Sequence, residues 1–277
     1  MRLLVTGASG FIAKNFIKHS LKKNIEIVAI SRKKNIISNK NLKWIVGQFN
    51  KINLSRIGKF DMLVHFASHG TKPKERNNLK KNFKINVLNS EDLILKAINN
   101  NCKKFLIISS SSEFGMMNIK TNGVKKNDFK IPDDSYGLSK LIFNNTVHNY
   151  SKKYKCKFRI MRLFPVYGNG EDSTRLYSVI KKCAKENKDL FLKNPFEIRD
   201  FSHIDFVIKN LADSLNFNKK KFKYYQTFHV SESNRLTVLK FCKTLWKKFN
   251  CSGKIKYKDQ KIQLTNHISD KSSNWVL

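Results

Sequence analysis

Long apolar runs are missing from this chain. No stretch reaches the roughly 18 uncharged apolar residues that a membrane-spanning helix needs. The opening residues Met1-Arg2-Leu3-Leu4-Val5-Thr6-Gly7 run straight into a glycine loop, without the small-residue cleavage site of a secretory leader. A cytoplasmic location is the expectation. Proline is scarce, at four in 277 residues, and with 40% hydrophobic and 12% aromatic residues the composition excludes a disordered or fibrous chain. The five cysteines (Cys102, Cys156, Cys183, Cys242 and Cys251) are odd in number and lack any paired zinc spacing, so no metal site is expected and they read as reduced thiols. Acid is what the chain lacks most: 20 Asp and Glu stand against 55 Lys and Arg, a formal charge of +35. The excess is almost all lysine, spread as Lys-Lys pairs among abundant Asn and Ile, which is the mixture an AT-rich coding bias produces. The preferred reading is compositional drift on a surface that also steers an anionic sugar diphosphate inward, ahead of a dedicated nucleic-acid or lipid partner.

Alternation, by contrast, is plentiful. Short β-branched apolar runs at 2–6, 26–30, 42–46, 62–66, 105–109 and 158–163 are separated by helical patterns at 11–22, 86–99 and 136–153. Such βαβ repetition predicts an α/β fold, a Rossmann-like doubly wound parallel sheet with its ligand at the carboxyl ends of the strands. Beyond residue 163 the pattern loosens into loops, with helices expected near 178–187, 205–216 and 238–249. Residues 1–163 are read as an NADP-binding domain. Residues 164–277 are read as mainly a smaller substrate-binding lobe, with some segments returning to the main domain. The polar stretch 254–277 predicts loop or frayed structure.

Three motifs carry chemistry. Thr6-Gly7-Ala8-Ser9-Gly10-Phe11-Ile12-Ala13 follows a strand and opens a helix. Gly7 permits the tight turn, Gly10 lets backbone approach a pyrophosphate, and small Ala13 seats the helix close to the strand, so Gly7, Ser9, Gly10, Phe11 and Ile12 are candidate cofactor residues. The second strand ends in Ser31-Arg32-Lys33-Lys34, where NAD sites place an acid. Ser31 and the fork of Arg32 suit the extra phosphate of NADP, whereas Lys33 and Lys34 read as solvated charges. Tyr136-Gly137-Leu138-Ser139-Lys140 puts a phenol and an ammonium on one helical face, where the cation would favour the phenolate for proton exchange with a carbinol or carbonyl. Upstream, the strand ending in Ser109-Ser110-Ser111-Ser112-Glu113 brings hydroxyls to the same sheet edge.

Together with Val64-His65-Phe66-Ala67, Asn86-Val87-Leu88, Arg162-Leu163-Phe164-Pro165-Val166-Tyr167-Gly168 and Arg199-Asp200-Phe201-Ser202-His203-Ile204-Asp205, these motifs stand in family order. The chain resembles the extended short-chain dehydrogenase/reductases, the NAD-dependent epimerase/dehydratase enzymes of nucleotide sugars, over nearly its whole length. The resemblance implies Tyr136 as acid/base, Lys140 on the nicotinamide ribose, and Ser110 as the catalytic hydroxyl with Ser111 as its neighbouring alternative. Phe66 and Ala67 would lie on the cofactor, and Ser111, Arg175 and Arg199 on the substrate. Arg199 would grip the diphosphate, or else pair with Asp200 or Asp205. It also implies a homodimer through the helices after Asn86 and around Tyr136, where Leu88, Leu95, Ile98, Leu141 and Ile142 could meet a partner or face the sheet. Departures are informative. Ser111-Ser112 replace the acidic pair that eliminates water in dehydratases, with Glu113 one residue late. Gly47-Gln48-Phe49 lack the acid usual near the adenine, and Pro165 replaces an Asn of the substrate loop. The leading expectation is NADPH-dependent reduction of a 4-keto-6-deoxy sugar nucleotide. The alternatives are a C4 epimerase with bound NAD, and a non-catalytic polyanion-binding module on the same fold.

Overall fold

The computed structural model describes residues 1–33, 37–115, 123–218, 224–258 and 266–275. The chain opens with β1 (Arg2–Thr6), α1 (Phe11–Lys22), β2 (Glu26–Ser31), β3 (Leu42–Val46) and β4 (Met62–His65). A short α2 (Leu79–Asn82) leads through a π-helical turn (Phe83–Leu88) into α3 (Asn89–Asn99). Next come β5 (Lys104–Ser110), α4 (Ser135–Lys153) and β6 (Lys157–Leu163). The remainder holds β7 (Val166–Tyr167), α5 (Leu176–Glu186), β8 (Leu190–Leu192), β9 (Ile198–Asp200), β10 (Ser202–His203) and α6 (Ile204–Asp213). It closes with β11 (Tyr225–Val230), β12 (Arg235–Thr237), α7 (Val238–Lys248), β13 (Ile255–Tyr257) and β14 (Asn266–His267).

Seven strands form one parallel sheet in the order β11-β6-β5-β4-β1-β2-β3, a doubly wound Rossmann-like topology. Successive side chains of a strand point to opposite faces, and the apolar runs show it. Leu3 and Val5 of β1 pack with Phe16 and Ile17 of α1 and with Val207 and Leu211 of α6. Leu4, between them, faces Leu93 and Ala97 of α3 and Phe143 and Val147 of α4. Both faces are covered, which is why these strands read as unbroken hydrophobic runs.

Three features differ from the sequence reading. The sheet has a seventh strand, β11, paired with β6 from Tyr225↔Phe158 to Val230↔Leu163. The helix expected at 205–216 packs on α1 and so belongs to the main sheet. The tail is not simply frayed. β13 pairs with β8 and β14 with β9, while Trp275 is buried against Phe228, donates through Nε1 to Asp213 Oδ2 at 2.9 Å, and lies 4.6 Å from the Arg159 guanidinium. The rest of the second half builds a separate small core, in which Tyr177 and Ile180 of α5 and Leu190 of β8 meet Phe241 and Leu245 of α7. Phe201 stacks on Phe241 at 3.8 Å. All five thiols are free, and burial pushes those of Cys102 and Cys242 up to about 12.

Candidate active site

The loops at the carboxyl edge of the sheet gather the motif residues. At the end of β1, Gly7 has φ +65, and a Cβ there would stand 2.6 Å from the Ala67 nitrogen and 2.8 Å from the Phe66 carbonyl carbon. Two backbones are therefore in contact where the glycine turn passes the loop after β4. Gly10 caps α1 in extended conformation without a side-chain cap, and no acidic residue sits in the first turn. That leaves the helix N-terminus suited to a phosphate. Ser9 is exposed, Phe11 and Ile12 are half-buried, and Ala13 is buried against the sheet. Changing Gly7 to Ala is expected to cost about 1–3 kcal/mol for the left-handed backbone alone and to displace Ala67 as well. Thermal unfolding with and without NADP(H) checks it: the ligand-induced rise in Tm should disappear, and an unchanged rise would refute the role.

At the end of β2, Ser31 is buried and its Oγ accepts from the Lys33 amide at 3.2 Å, while Arg32 and Lys33 are exposed. Lys34 lies outside the described residues. Beneath this edge, Thr6 Oγ1 meets His65 Nδ1 at 2.7 Å and His65 Nε2 meets Ser90 Oγ at 3.0 Å, tying β1, β4 and α3 together. Burial, helped by Lys140, depresses the His65 imidazole to about 3, so it is neutral there. Asn86 in the π-helical turn fixes the loop after β4: its Oδ1 accepts from the His69 amide at 2.7 Å, and its Nδ2 donates to Ser139 Oγ at 2.9 Å.

Tyr136 lies in the first turn of α4. Asp134 caps that helix, accepting from the Gly137 amide at 2.7 Å, and the Tyr136 amide donates to the Arg76 carbonyl at 3.0 Å. The phenol is buried, and the hydroxyls of Ser110 and Ser68 bear on it. Burial raises its pKa, opposed first by the Arg76 guanidinium, then by Ser110, Arg175 and Ser68. Ser110 is thus the hydroxyl brought to the phenol; Ser111 is buried in the 3-10 turn that follows (Ser111–Phe114).

Lys140 is buried one turn along α4 from Tyr136. Its Nζ donates to the Ile108 carbonyl at 2.9 Å, and burial lowers it to about 8 against the pull of Glu113. Arg76 and Arg175 are two cations that bear on the phenol. Arg76 went unread in the sequence. Its guanidinium sits 5.0 Å from the Tyr136 ring centroid, with Nε on Asp134 at 2.6 Å and a terminal nitrogen on Ser112 Oγ at 2.9 Å. Ser68 and Asn82 were missed too, the latter donating to the Arg76 carbonyl at 2.8 Å. No short-range signal marks the contacts of Arg76 with Ser112 and Asp134 or of Asn82 with Ser135, which span 36 residues or more.

Glu113 is fully buried, receiving Arg162 Nε at 2.9 Å and Asn144 Nδ2 at 2.6 Å as well as the Ser109 hydroxyl. On the lobe side, a cavity of about 140 Å³ is lined by Pro165, Tyr167, Glu171, Arg175 and Arg199 among others. Arg175 holds Glu171 at 3.2 Å. Arg199 is paired with Glu197, at 2.9 and 2.6 Å, and not with Asp200 or Asp205, the alternative to a diphosphate contact raised from the sequence. Of the apolar positions raised for a dimer, Ile98 faces the sheet, Leu88 is exposed, and Leu95, Leu141 and Ile142 are half-buried.

A parallel sheet whose glycine turn and helix N-terminus face a tyrosine and a serine is the architecture of a dinucleotide-dependent enzyme. Residues 3–221 match the NAD dependent epimerase/dehydratase family. The chain is similar to an uncharacterized UDP-glucose epimerase, YtcB, of Bacillus subtilis (24% identical, over 87% of this chain and 79% of the relative). It is also similar to the dTDP-4-dehydro-6-deoxyglucose reductase of Escherichia coli (21%, over 93% and 84%). Its fold matches the UDP-glucuronic acid 4-epimerase of Bacillus cereus, solved with UDP-glucuronic acid and NAD, with a TM-score of 0.84 at 22% identity over 98% of this chain and 91% of that one. The chain belongs to the NAD dependent epimerase/dehydratase family and is an NAD(P)-dependent enzyme of nucleotide-sugar modification. Among the described residues no helix is long and apolar enough to cross a membrane.

Proposed function

We propose that this enzyme reduces a 4-keto-6-deoxy sugar nucleotide with NADPH. The observation that carries the reading is the buried Tyr136 phenol set against Ser110 at the sheet edge, with exposed Arg32 and no acid at the end of β2. Gly7, Ser9, Gly10, Phe11 and Ile12 would hold the dinucleotide, with Phe66 and Ala67 along it, Lys140 toward its ribose, and Ser31 and Arg32 on the added phosphate. Bound there, NADPH supplies the hydride to the keto carbon. Tyr136 donates its proton to the keto oxygen, and Ser110 gives that oxygen a second hydrogen bond. Ser111, Arg175 and Arg199 would face the substrate, the two arginines suiting its diphosphate. Burial of Glu113 in its ion pair with Arg162 removes the carboxylate closest to the acid position of the dehydratases, so water elimination is disfavoured. Exposed Leu88 and Leu138 on the helices of the expected contact favour a homodimer, and a cytoplasmic setting fits the substrate.

Purified protein mixed with NADPH and a panel of dTDP-, CDP- and GDP-linked 4-keto sugars should consume NADPH stoichiometrically with one of them. No consumption with any would overturn the reading. Arg32→Ala should raise the KM for NADPH about tenfold or more, the worth of one charge-assisted hydrogen bond, and leave that for NADH unchanged; equal effects on both would exclude Arg32 from the phosphate. The second reading, a C4 epimerase, is favoured by the relative named an epimerase and by the NAD held in the Bacillus cereus structure. It requires cofactor retained through purification and substrate interconversion without net NADPH use. A polyanion-binding module would show function surviving loss of Tyr136, together with steeply salt-dependent binding.

A further inference from the structure

Arg76 comes from the loop after β4, far in sequence from the helix it serves. Its backbone carbonyl accepts from the Tyr136 amide at 3.0 Å and from the Ser135 hydroxyl at 2.8 Å. Its guanidinium then turns back over the tyrosine ring, 5.0 Å from the centroid, where two directed bonds hold it, Nε to Asp134 and a terminal nitrogen to Ser112. Asp134 in turn is fixed at the helix cap. An ionic fork with both ends anchored does not swing away from the ring as a free lysine would.

The groups facing the phenol can be named from each side. The loop after β4 contributes Ser68 and Arg76, β5 contributes Ser110, and the start of α5 contributes Arg175. On α4 itself stand Asp134, bonded to Arg76 and to the cap, and Lys140, whose ammonium is held on the Ile108 carbonyl. Arg175 is paired with Glu171 as Arg76 is with Asp134, so contact with the ring is what sets Arg76 apart. Arg76 is the cation that combines contact with the ring and a fixed position.

We propose that Arg76 is a positioning residue for proton transfer, its anchored guanidinium favouring the phenolate of Tyr136. The inference rests on the reading of Tyr136 as acid/base. An opposite charge within about 4–6 Å of a titrating group shifts it by about one pH unit or more. Below the midpoint, one unit corresponds to about tenfold less phenolate at a fixed pH.

The phenolate absorbance of Tyr136 can be isolated as the difference between a protein and its Tyr136→Phe counterpart, both saturated with NADP. Measured this way, Arg76→Gln should hold about tenfold less phenolate at a fixed pH, and Arg76→Lys should restore most of it. The pH profile of kcat/KM should move by about one unit in the same direction, with the KM for substrate little changed. Should the glutamine variant fail to fold, Arg76→Met, which keeps the apolar stem, takes the same measurement. Phenolate at the wild-type level in a folded neutral variant overturns the proposal. The two layers fail separately. If Tyr136→Phe stays active, the acid/base reading falls whatever the titration shows. If Tyr136→Phe is dead while the neutral Arg76 variants titrate normally, only the role of Arg76 falls.

Discussion

Tyr136→Phe should turn over substrate about 10²–10⁴ times more slowly than the parent, the range that a positioned acid or base contributes. The ring remains, so its contact with the Arg76 guanidinium and its place in the first turn of α4 persist. Only the oxygen shared with Ser110 and Ser68 is removed. Losing that hydrogen-bonded hydroxyl costs on the order of 1 kcal/mol, too little to unfold a domain of ordinary stability. Dinucleotide binding should survive, because Gly7 and Gly10 are untouched. The measurement is kcat by NADPH consumption on the substrate found in the panel, with circular dichroism as the folding control. Turnover within tenfold of the parent would remove Tyr136 from the chemistry.

The largest loss of stability is expected from Glu113→Ala. Neither partner of the Glu113–Arg162 pair is appreciably exposed, and Asn144 and Ser109 complete the carboxylate's shell. Truncation leaves a guanidinium buried in β6 without its counter-charge, although its other end still donates to the Lys126 carbonyl at 2.9 Å. Breaking a buried pair from one side costs about 3–5 kcal/mol, a large share of the roughly 5–15 kcal/mol that holds a domain folded. Urea denaturation should show the midpoint falling accordingly. A loss under about 1 kcal/mol would mean that water or a moved side chain compensates the arginine, contrary to the enclosed site described. Glu113 accepts from the hydroxyl of Ser109, the neighbour of Ser110, so the same variant should also loosen the turn that carries the Ser110 hydroxyl.

The central strands were readable because they are buried on both faces. A run such as Leu3-Leu4-Val5 has no alternative use, and the glycine turn and α1 follow it without a gap. β11 was not readable for the opposite reason: it is an edge strand in which Gln226, Thr227 and His229 interrupt the apolar residues. The π-helical turn at Phe83–Leu88 is a slip in backbone hydrogen bonding that no side chain announces. Within the site, Tyr136 could be named from helical spacing and the serine cluster from its strand end, with Ser110 set ahead of Ser111 only by the resemblance. The anchoring of Lys140 on the Ile108 carbonyl and the placement of Arg76 could not, since the first is decided by backbone position and the second by contacts across 36 residues or more in the chain. Trp275 was lost in a polar tail, although its ring is what returns that tail to the core.

The late arrival of β11 has a consequence for synthesis on the ribosome. Six parallel strands have emerged by Leu163, but the outer edge of β6 must wait for Tyr225–Val230. At about 5–20 residues per second that interval lasts on the order of seconds. Throughout it the open edge is a template for another chain, and Arg159 in that strand lacks the Ser214 and Asn216 carbonyls that later receive it. Nascent chains stalled between these two strands should therefore be the ones that chaperones hold and that aggregate when chaperones are short.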